Sequence, residues 1–159
     1  MEQNSKKKVT CGFLIYDVNN HSYLGCKPNL AKHQYYDIPK GCQEPGETPL
    51  QTALRELEEE TGLRVDELSH IRDIGEFPYN KEKNIHLFTA TAKINLDRLH
   101  CDSIFEYNGK MIEEMSGYKL GYWPMFYPRL QKLFLENQYK VNISRLLAEK
   151  ELQQTLSQL

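Results

Sequence analysis

The chain has 159 residues, the size of a single domain, and its 40% hydrophobic and 26% charged residues are enough to build one core. No stretch reaches the roughly 18 uninterrupted apolar residues of a membrane helix, and a net charge of −2 excludes a global positive field for nucleic acid. The charge is nevertheless uneven, because the seventeen residues from Glu44 to Glu60 contain six glutamates and one arginine. This acidic segment is where we expect the functional site.

The ends of the chain differ from its middle. Residues 1–8 are polar and are predicted to be disordered, and they lead into residues 9–139, which we expect to form the domain. The four cysteines are scattered without a Cys-x-x-Cys pair, and the N-terminal segment lacks the pattern of a signal peptide. We therefore expect free thiols in a reducing compartment. This indicates a cytoplasmic protein without a membrane partner.

The first part of the chain predicts a β-hairpin followed by a short strand. Val9–Asp17 and Tyr23–Cys26 are rich in strand-forming residues, and the pair Asn19-Asn20 between them has turn chemistry. Tyr35–Ile38 predicts a further short strand, which ends at Pro39.

A helix with clear ends comes next. Thr48 is a favourable N-cap, Pro49 stands at the preferred first helical position, and Gln51 completes a capping box with Thr48. Gly62 then ends the helix. Five residues recur between these ends at helical spacing and predict a buried stripe: Leu50, Ala53, Leu54, Leu57 and Thr61.

The second half of the chain mixes strands with helices. Ile71–Phe77 and Ile85–Ala92 predict two more strands, residues 100–123 give no clear assignment, and Pro128 opens a helix that runs to about Gln138. This helix places Leu130, Leu133 and Phe134 inward. The mixed order predicts an α+β or α/β sandwich with helices on both faces of a sheet.

Residues 140–159 predict a C-terminal amphipathic helix that begins near Asn142 or Ser144. Its leucines form one apolar stripe: Leu146, Leu147, Leu152, Leu156 and Leu159. The stripe is suited either to packing on the domain or to packing on a second copy, so that a monomer and a homodimer both stay open.

The acidic segment concentrates carboxylates on one face of the first helix. Each helical residue advances by about 100°, which places Glu56, Glu59 and Glu60 within about 100° of one another and away from the apolar stripe. Such carboxylates repel one another unless cations lie between them, and Mg²⁺ binds proteins through one or two carboxylates together with substrate phosphates. The face is therefore either a Mg²⁺ or Mn²⁺ platform for phosphate chemistry or a solvated acidic surface.

The spacing around these glutamates matches a known motif. In residues 41–63, Gly41 is followed by five residues and Glu47, and then by seven residues and the segment Arg55-Glu56-Leu57-x-Glu59-Glu60-x-Gly62-Leu63. This pattern resembles a complete Nudix box. The resemblance implies an α+β Nudix fold, an α/β/α sandwich in which a mixed sheet lies between helices and the box forms a loop–helix–loop. It also implies hydrolysis of substrates in which a nucleoside diphosphate is linked to another moiety.

The resemblance further implies roles for the matching residues. It implies these metal ligands: the carboxylates of Glu56, Glu59 and Glu60, the carbonyl of Gly41 and, as an additional or indirect ligand, Glu47. Arg55 would orient the carboxylates with its rigid guanidinium. Water would attack phosphorus with Mg²⁺ or Mn²⁺ as the cofactor. The general base is either Glu56 or a later residue, for which Glu114 is the candidate and Glu113 and Glu106 are the alternatives.

Residues outside the box suggest how a nucleotide would be held. Lys40 is placed to touch phosphate oxygens, and Tyr36 stands where many Nudix hydrolases have a tryptophan, which leaves base recognition open. The segment 76–85 resembles the dinucleoside-tetraphosphate hydrolase branch, where a tyrosine stacks on adenine and a lysine approaches the phosphates. By that resemblance Tyr79 is a stacking residue, and Lys81 or Lys83 lies near phosphate.

Further aromatic residues, Tyr118 and Trp123, could flank the same pocket. The expected substrates are dinucleoside polyphosphates such as Ap4A or Ap3A, or relatives such as ADP-ribose and FAD. An RNA 5′-end pyrophosphohydrolase is the alternative, and it would need a basic track built from these scattered lysines: Lys27, Lys32, Lys40, Lys81 and Lys83. A non-catalytic nucleotide-binding module is a third hypothesis, but such a module is expected to lose box glutamates, and this chain keeps them all.

Overall fold

The computed structural model of the protein describes residues 7–30, 34–143, 147 and 153–159. Its strands are β1 (Lys8–Asp17), β2 (Ser22–Pro28), β3 (Lys40–Cys42), β4 (Ser69–Pro78), β5 (Lys83–Ala92), β6 (Ile104–Tyr107), β7 (Lys110–Glu113) and β8 (Met115–Gly121). Its helices are α1 (Pro49–Thr61), α2 (Pro128–Glu136) and α3 (Gln138–Val141). Several residues named above lie outside the described ranges: 1–6, Lys32, Ser144, Leu146 and Leu152.

Strand β1 is the centre of the main sheet, which has the order β4-β5-β1-β2-β8. One edge of β1 pairs in parallel with β5 along its whole length. Its other edge is shared, because β2 pairs with β1 only at Tyr16 and Asp17, whereas β3 pairs with Thr10–Gly12. The short β3 therefore enters beside the first half of β1 and sets Gly41 opposite Cys11.

Side chains of β1 alternate between two cores, one on each face of the sheet. Phe13 and Ile15 point to the core that contains Ala53 and Leu57 of α1. Leu14 and Tyr16 point to the opposite core, which these α2 residues fill: Leu130, Leu133 and Phe134. The sheet thus lies between helices, and the prediction of an α+β fold with helices on both faces is confirmed.

Both ends of α1 follow the sequence prediction. The Gln51 backbone N–H donates to Thr48 Oγ1 at 3.2 Å, and the Thr48 N–H donates to Gln51 Oε1 at 2.9 Å, so that the capping box is complete. Gly62 has a φ of +80° and donates its N–H to the Glu58 carbonyl. The helix that carries most of the acidic segment is therefore fixed at both ends by local sequence.

The prediction of a strand at Tyr35–Ile38 is wrong, because the structure has only isolated bridges there. Asp37 forms an isolated bridge with Cys26, and Tyr36 forms another with Phe126. Neighbouring residues of the segment thus bond to two different elements, and no continuous ladder can form. Pro39, which lacks a backbone N–H, follows at once.

The unassigned region contains a separate two-stranded sheet, β6–β7. Asn108 and Gly109 connect its strands with φ values of +51° and +77°, as a tight hairpin turn requires. Its ends lie close to the start of β8, which pairs with β2 at the edge of the main sheet. The hairpin therefore stands outside the sandwich and is tied to it at its base.

The C-terminal part of the chain is only partly described. Helix α2 ends at Glu136 rather than near Gln138, and α3 follows with a buried Val141. Leu147 packs against the α2-side core, whereas Leu156 and Leu159 are exposed. No helix in the described ranges is long and apolar enough to cross a membrane, and all four cysteines, each of them described, are free thiols.

We predict that Gly62→Ala lowers the free energy of unfolding by about 1.5 kcal/mol, because a side chain at positive φ is strained and the added Cβ would push the exposed His100 ring away from its contact with Asp102. Gly109→Ala is the control, since it has a similar φ and open space around it. We expect it to cost only about 1 kcal/mol. Denaturant unfolding of both variants measures the difference, and equal losses would exclude the His100 contact as a cause.

Candidate active site

The guanidinium of Arg55 joins three glutamates of the acidic segment. Its Nε and Nη2 atoms donate to the two carboxylate oxygens of Glu47, at 2.8 and 3.0 Å. Nη1 donates to Glu56 Oε1 at 2.9 Å and to Glu59 Oε2 at 3.4 Å. The hydrogen bond to Glu47 is the main reason that the pKa of Arg55 is raised. This bidentate geometry makes Glu47 the main partner of Arg55.

Glu47 ties the loop before α1 to the helix. Its carboxylate also accepts the Glu44 N–H at 3.0 Å and the Thr52 hydroxyl at 2.9 Å. These bonds, led by the one from Arg55, lower its pKa to about 2. Glu47 is therefore fully ionised and its charge is compensated.

Gly41 and Glu56 are in close contact. A Cβ built on Gly41 would lie 2.1 Å from the carboxylate carbon of Glu56, so that only glycine leaves room for this side chain. Burial, followed by the charge of Glu59, raises the pKa of Glu56. The Glu56 carboxylate thus lies against the backbone of β3, in a place where its negative charge is disfavoured.

Glu60 is the most buried of these acids, with 2% of its surface exposed. Its Oε2 accepts the backbone N–H of Lys40 at 2.7 Å. Burial and the charge of Glu56 raise the pKa of Glu60 to about 9. Tyr118 of β8 donates its hydroxyl to the Glu60 carbonyl, which fixes the end of α1 to the sheet and engages the hydroxyl proton with the backbone.

The loop after the hairpin brings a further carboxylate to the cluster. Glu114 is half-buried, and its charge contributes to the raised pKa of Glu56 and of Glu60. Its backbone N–H donates to the Ser103 carbonyl at 2.9 Å. The alternatives considered for a general base lie differently, since Glu106 and Glu113 are exposed on the hairpin.

Lys40 has a partner that sequence reasoning missed. Its Nζ lies 2.6 Å from Asp37 Oδ2, and this ion pair is largely buried. Burial alone would lower the pKa of Lys40, but Asp37 outweighs it, so that the pKa is raised. A lone aspartate before Pro39 carries no recognisable motif, so no sequence signal marked Asp37.

Two aromatic residues that the sequence predicts for the site, Tyr36 and Tyr79, have different surroundings. Tyr36 is covered by two ammonium groups, Lys27 Nζ at 5.6 Å and Lys119 Nζ at 5.9 Å from the ring centroid. Tyr79 is half-buried, and burial raises its pKa, with the charges of Lys40 and Asp37 as the next contributions.

The structure does not bring two predicted lysines to the carboxylates. Lys81 is exposed in the turn before β5, and Lys83 begins β5 beside Lys8. Neither forms an ion pair with a residue in the described ranges. Trp123 packs into the α2-side core, 4.4 Å from the Tyr23 ring and 4.9 Å from the Phe134 ring between centroids.

The sequence of this chain matches a known family of protein domains. The model of the NUDIX domain matches residues 6–107, which is more than half of the chain and includes β1, the acidic segment and α1. The chain belongs to the Nudix family of hydrolases. The motif in residues 41–63 is accordingly its Nudix box, and the predicted resemblance is confirmed.

Several known proteins are similar to this Nudix hydrolase. A 17.7 kDa protein of Enterobacteria phage T4 is 29% identical over 130 residues, which cover 76% of this chain and 85% of the phage protein. The asymmetrical bis(5′-nucleosyl)-tetraphosphatase of Mus musculus is 39% identical over 95 residues, or 52% of this chain and 64% of the mouse enzyme. The ADP-ribose pyrophosphatase of Bacillus subtilis is 44% identical over 54 residues, which span 34% of this chain and 29% of that enzyme.

Solved structures support the fold. A C. elegans Ap4A hydrolase in a binary complex superposes with a TM-score of 0.62 at 20% identity, covering 88% of this chain and 98% of that one. The E. coli dihydroneopterin triphosphate pyrophosphohydrolase gives a TM-score of 0.58 at 17% identity, covering 80% and 92%. At these identities the likeness is one of architecture.

The donor chemistry of the Nudix box fits a hard divalent cation. Glu56, Glu59 and Glu60 offer carboxylate oxygens, which Mg²⁺ and Mn²⁺ prefer, and Glu60 has no cationic side chain in ion-pair contact within the described residues. In the described part of the chain no three acidic, histidine or cysteine side chains form a ready-made metal-binding group. Two of these carboxylates, those of Glu56 and Glu59, are instead held by Arg55.

We predict that Glu60→Gln removes a pH dependence from the stability of the metal-free protein. Between the ordinary pKa of 4.5 and the raised value of about 9, folded Glu60 keeps a proton that the unfolded chain has lost. The free energy of unfolding must therefore fall as the pH rises through this window. From pH 5 to pH 8, we expect wild type to lose at least about 1 kcal/mol more than Glu60→Gln does.

Glu58→Gln is the matched control, because Glu58 is exposed on the same helix. Urea unfolding in the presence of a chelator at pH 5 and pH 8 measures the effect. If Glu60→Gln showed the same loss as Glu58→Gln, the buried carboxyl would not be the origin.

Proposed function

We propose that the protein is a divalent-metal-dependent pyrophosphohydrolase that cleaves substrates in which a nucleoside diphosphate is linked to another moiety. One observation carries the proposal: the box glutamates are all present and lie together, with more negative charge than Arg55 compensates. Hydrolases of this family generally use divalent metal ions. Dinucleoside polyphosphates such as Ap4A or Ap3A are the first substrates to test, and ADP-ribose and FAD are the second.

We assign the binding of Mg²⁺ or Mn²⁺ to the backbone carbonyl of Gly41 and to the carboxylates of Glu56, Glu59 and Glu60. When bound, the cation neutralises charge on the diphosphate and activates water for attack on phosphorus. Arg55 holds Glu56 and Glu59 in place through Nη1. Glu47 acts indirectly in this assignment, because both of its oxygens already accept hydrogen bonds from Arg55.

The proton of the attacking water requires a base near the cluster. Glu114 is our first candidate, because its side chain is half-buried beside Glu56 and Glu60 and comes from a different element. Glu56 is the alternative, although it is engaged with Arg55 and Gly41.

The nucleotide is assigned to the side of the site that contains Lys40 and Tyr79. The aromatic face of Tyr79 is suited to stacking on a base without selecting its identity. This assignment is supported by the similarity of 95 residues to the mouse tetraphosphatase. Tyr118 is better suited to positioning than to substrate contact, since its hydroxyl donates to the Glu60 carbonyl.

We predict that Glu59→Gln lowers kcat at least about 100-fold, because it removes a charged oxygen from the proposed cation site while keeping the shape of the side chain. Glu58→Gln, one residue away and exposed, should retain full activity. Both variants are incubated with Mg²⁺ and Ap4A, Ap3A, ADP-ribose, FAD, nucleoside triphosphates and 5′-triphosphorylated RNA. Chromatography then identifies the products.

The outcome separates the hypotheses. Two phosphorylated products from a dinucleoside polyphosphate or from ADP-ribose would support the proposal, and cleavage of the RNA alone would support the 5′-end alternative. Full activity of Glu59→Gln would overturn the proposed cation site. Nucleotide binding without any cleavage would mean a non-catalytic module.

We predict that Glu114→Gln lowers kcat by a factor of about 100 and removes the acidic limb of the kcat–pH profile, as expected for loss of a general base. Glu113→Gln, its exposed neighbour at the end of β7, is the control. If Glu114→Gln kept the wild-type pH profile, the base would have to be sought elsewhere, with Glu56 as the next candidate.

A further inference from the structure

Glu114, the candidate base of the proposed function, lies at a break between the two sheets. Strand β7 ends at Glu113, which pairs with Ile104 of β6, and β8 begins at Met115, which pairs with Pro28 of β2. Glu114 itself is paired in neither of these ladders of the described residues. Its backbone groups therefore need hydrogen-bond partners from outside the ladders.

Two separate segments supply these partners. The Glu114 N–H donates to the Ser103 carbonyl at 2.9 Å, and the Glu114 carbonyl accepts the Asn29 N–H at 2.7 Å. Ser103 is itself attached to α1, because its N–H donates to the Glu59 carbonyl at 3.1 Å. Glu114 is thus connected through one residue to the helix of the Nudix box and, on its other side, to the residue that follows β2.

The side chain of Asn29 adds a further bond at the same place. Its Nδ2 donates to the Glu113 carbonyl at 3.1 Å, and its Oδ1 accepts the Leu30 N–H at 3.0 Å. The bond from Leu30 holds the amide in the orientation that directs Nδ2 at the hairpin. Asn29 therefore binds two successive residues, Glu113 through its side chain and Glu114 through its backbone.

The hairpin β6–β7 depends on this attachment because a two-stranded sheet is at best marginally stable in water. Its apolar side chains are largely open to solvent, since Ile104, Tyr107 and Met111 expose 54%, 49% and 64% of their surface. Glu114 lies where the hairpin joins the sandwich. The position of its carboxylate is therefore set by the hydrogen bonds at the base of the hairpin.

We propose that Asn29 is a positioning residue that holds Glu114 at the reaction site from the end of β2. The inference rests on the proposed function, in which Glu114 accepts the proton of the attacking water. A base must lie within hydrogen-bond reach of that water, and a small displacement of the base lowers kcat without weakening the binding of substrate. Asn29 acts through Glu114 and has no need to contact the substrate itself.

Hydrolysis of a substrate that wild type cleaves gives the first test. We expect Asn29→Ala to lower kcat about tenfold and to keep KM within a factor of two. Asn137→Ala is the matched control, because Asn137 Nδ2 donates to the Leu133 carbonyl at the same 3.1 Å but lies at the end of α2, on the opposite face of the sheet. It should keep the wild-type kcat.

The Glu114→Gln background separates positioning from a general loss of structure. Once Glu114 can no longer act as a base, its exact position does not matter, so that adding Asn29→Ala should lower kcat by less than a further factor of two. Asn29→Ser is a second variant. Its hydroxyl can still accept the Leu30 N–H but ends one bond short of the place of Nδ2, and it should lose kcat as Asn29→Ala does.

Hydrogen exchange of the Glu114 amide, followed by NMR with a chelator present, tests the attachment without any hydrolysis. We expect this amide to exchange at least about tenfold faster in Asn29→Ala than in wild type, and at the wild-type rate in Asn137→Ala. An unchanged rate in Asn29→Ala would overturn the attachment itself.

Three kinetic results would overturn the positioning role: wild-type kcat in Asn29→Ala or Asn29→Ser, the same loss in Asn137→Ala, or a full tenfold loss in the Glu114→Gln background. If wild type cleaved no substrate but the difference in hydrogen exchange persisted, the proposed function and with it the catalytic role of Asn29 would fail. The attachment of Glu114 by Asn29 would then stand as a structural feature.

Discussion

The acidic segment depends on the hydrogen bonds and ion pairs that one side chain, the guanidinium of Arg55, makes with its glutamates. Among the described residues, Arg55 is the cationic side chain that forms ion pairs with the glutamates of this segment, closely with Glu47, Glu56 and Glu59 and at 3.9 Å with Glu44. Its Nε and Nη2 atoms donate to Glu47, and Nη1 donates to Glu56 and Glu59. Glu60 receives only a backbone N–H. The cluster is thus held in place while its charge stays undercompensated.

The rest of the fold supports a helix that its own charges would disfavour. Leu57 and Ala53 are fully buried against β1, and burial of a leucine side chain contributes about 2 kcal/mol. The capping box at Thr48 adds about 1 kcal/mol, and Tyr118 fixes the last turn to β8. Because these contacts are apolar or use backbone groups, they hold α1 in place without neutralising its carboxylates.

The sequence predicts the features that depend on contacts between near neighbours in the chain. Features that depend on contacts between distant residues become visible only in the structure. The caps of α1 and the spacing of Arg55, Glu56 and Glu59 lie within one helix, where periodicity and turn chemistry are direct signals. The contact of Arg129 with Tyr79 depends on how two separate elements pack, for which no local pattern exists. Lys40 and Asp37 are only three residues apart, but the backbone that lets them pair is set by the bridges of Tyr36 and Asp37 to distant residues. The hairpin at Asn108-Gly109 is different, since this dipeptide is a local turn signal that marks part of the otherwise unassigned region.

The segment before β3 contains a partner of the site that the sequence does not predict, the buried carboxylate of Asp37. Tyr35–Ile38 has the composition of a strand, yet its residues bridge alternately to Cys26 and to Phe126. That arrangement buries the side chain of Asp37, where it pairs with Lys40. With the Lys40 ammonium group compensated in this way, a lysine that sequence position alone assigns to phosphate has its charge already engaged. Arg129, whose guanidinium carbon lies 5.9 Å from the centroid of the Tyr79 ring, differs from Lys40 because it forms no ion pair with a carboxylate among the described residues.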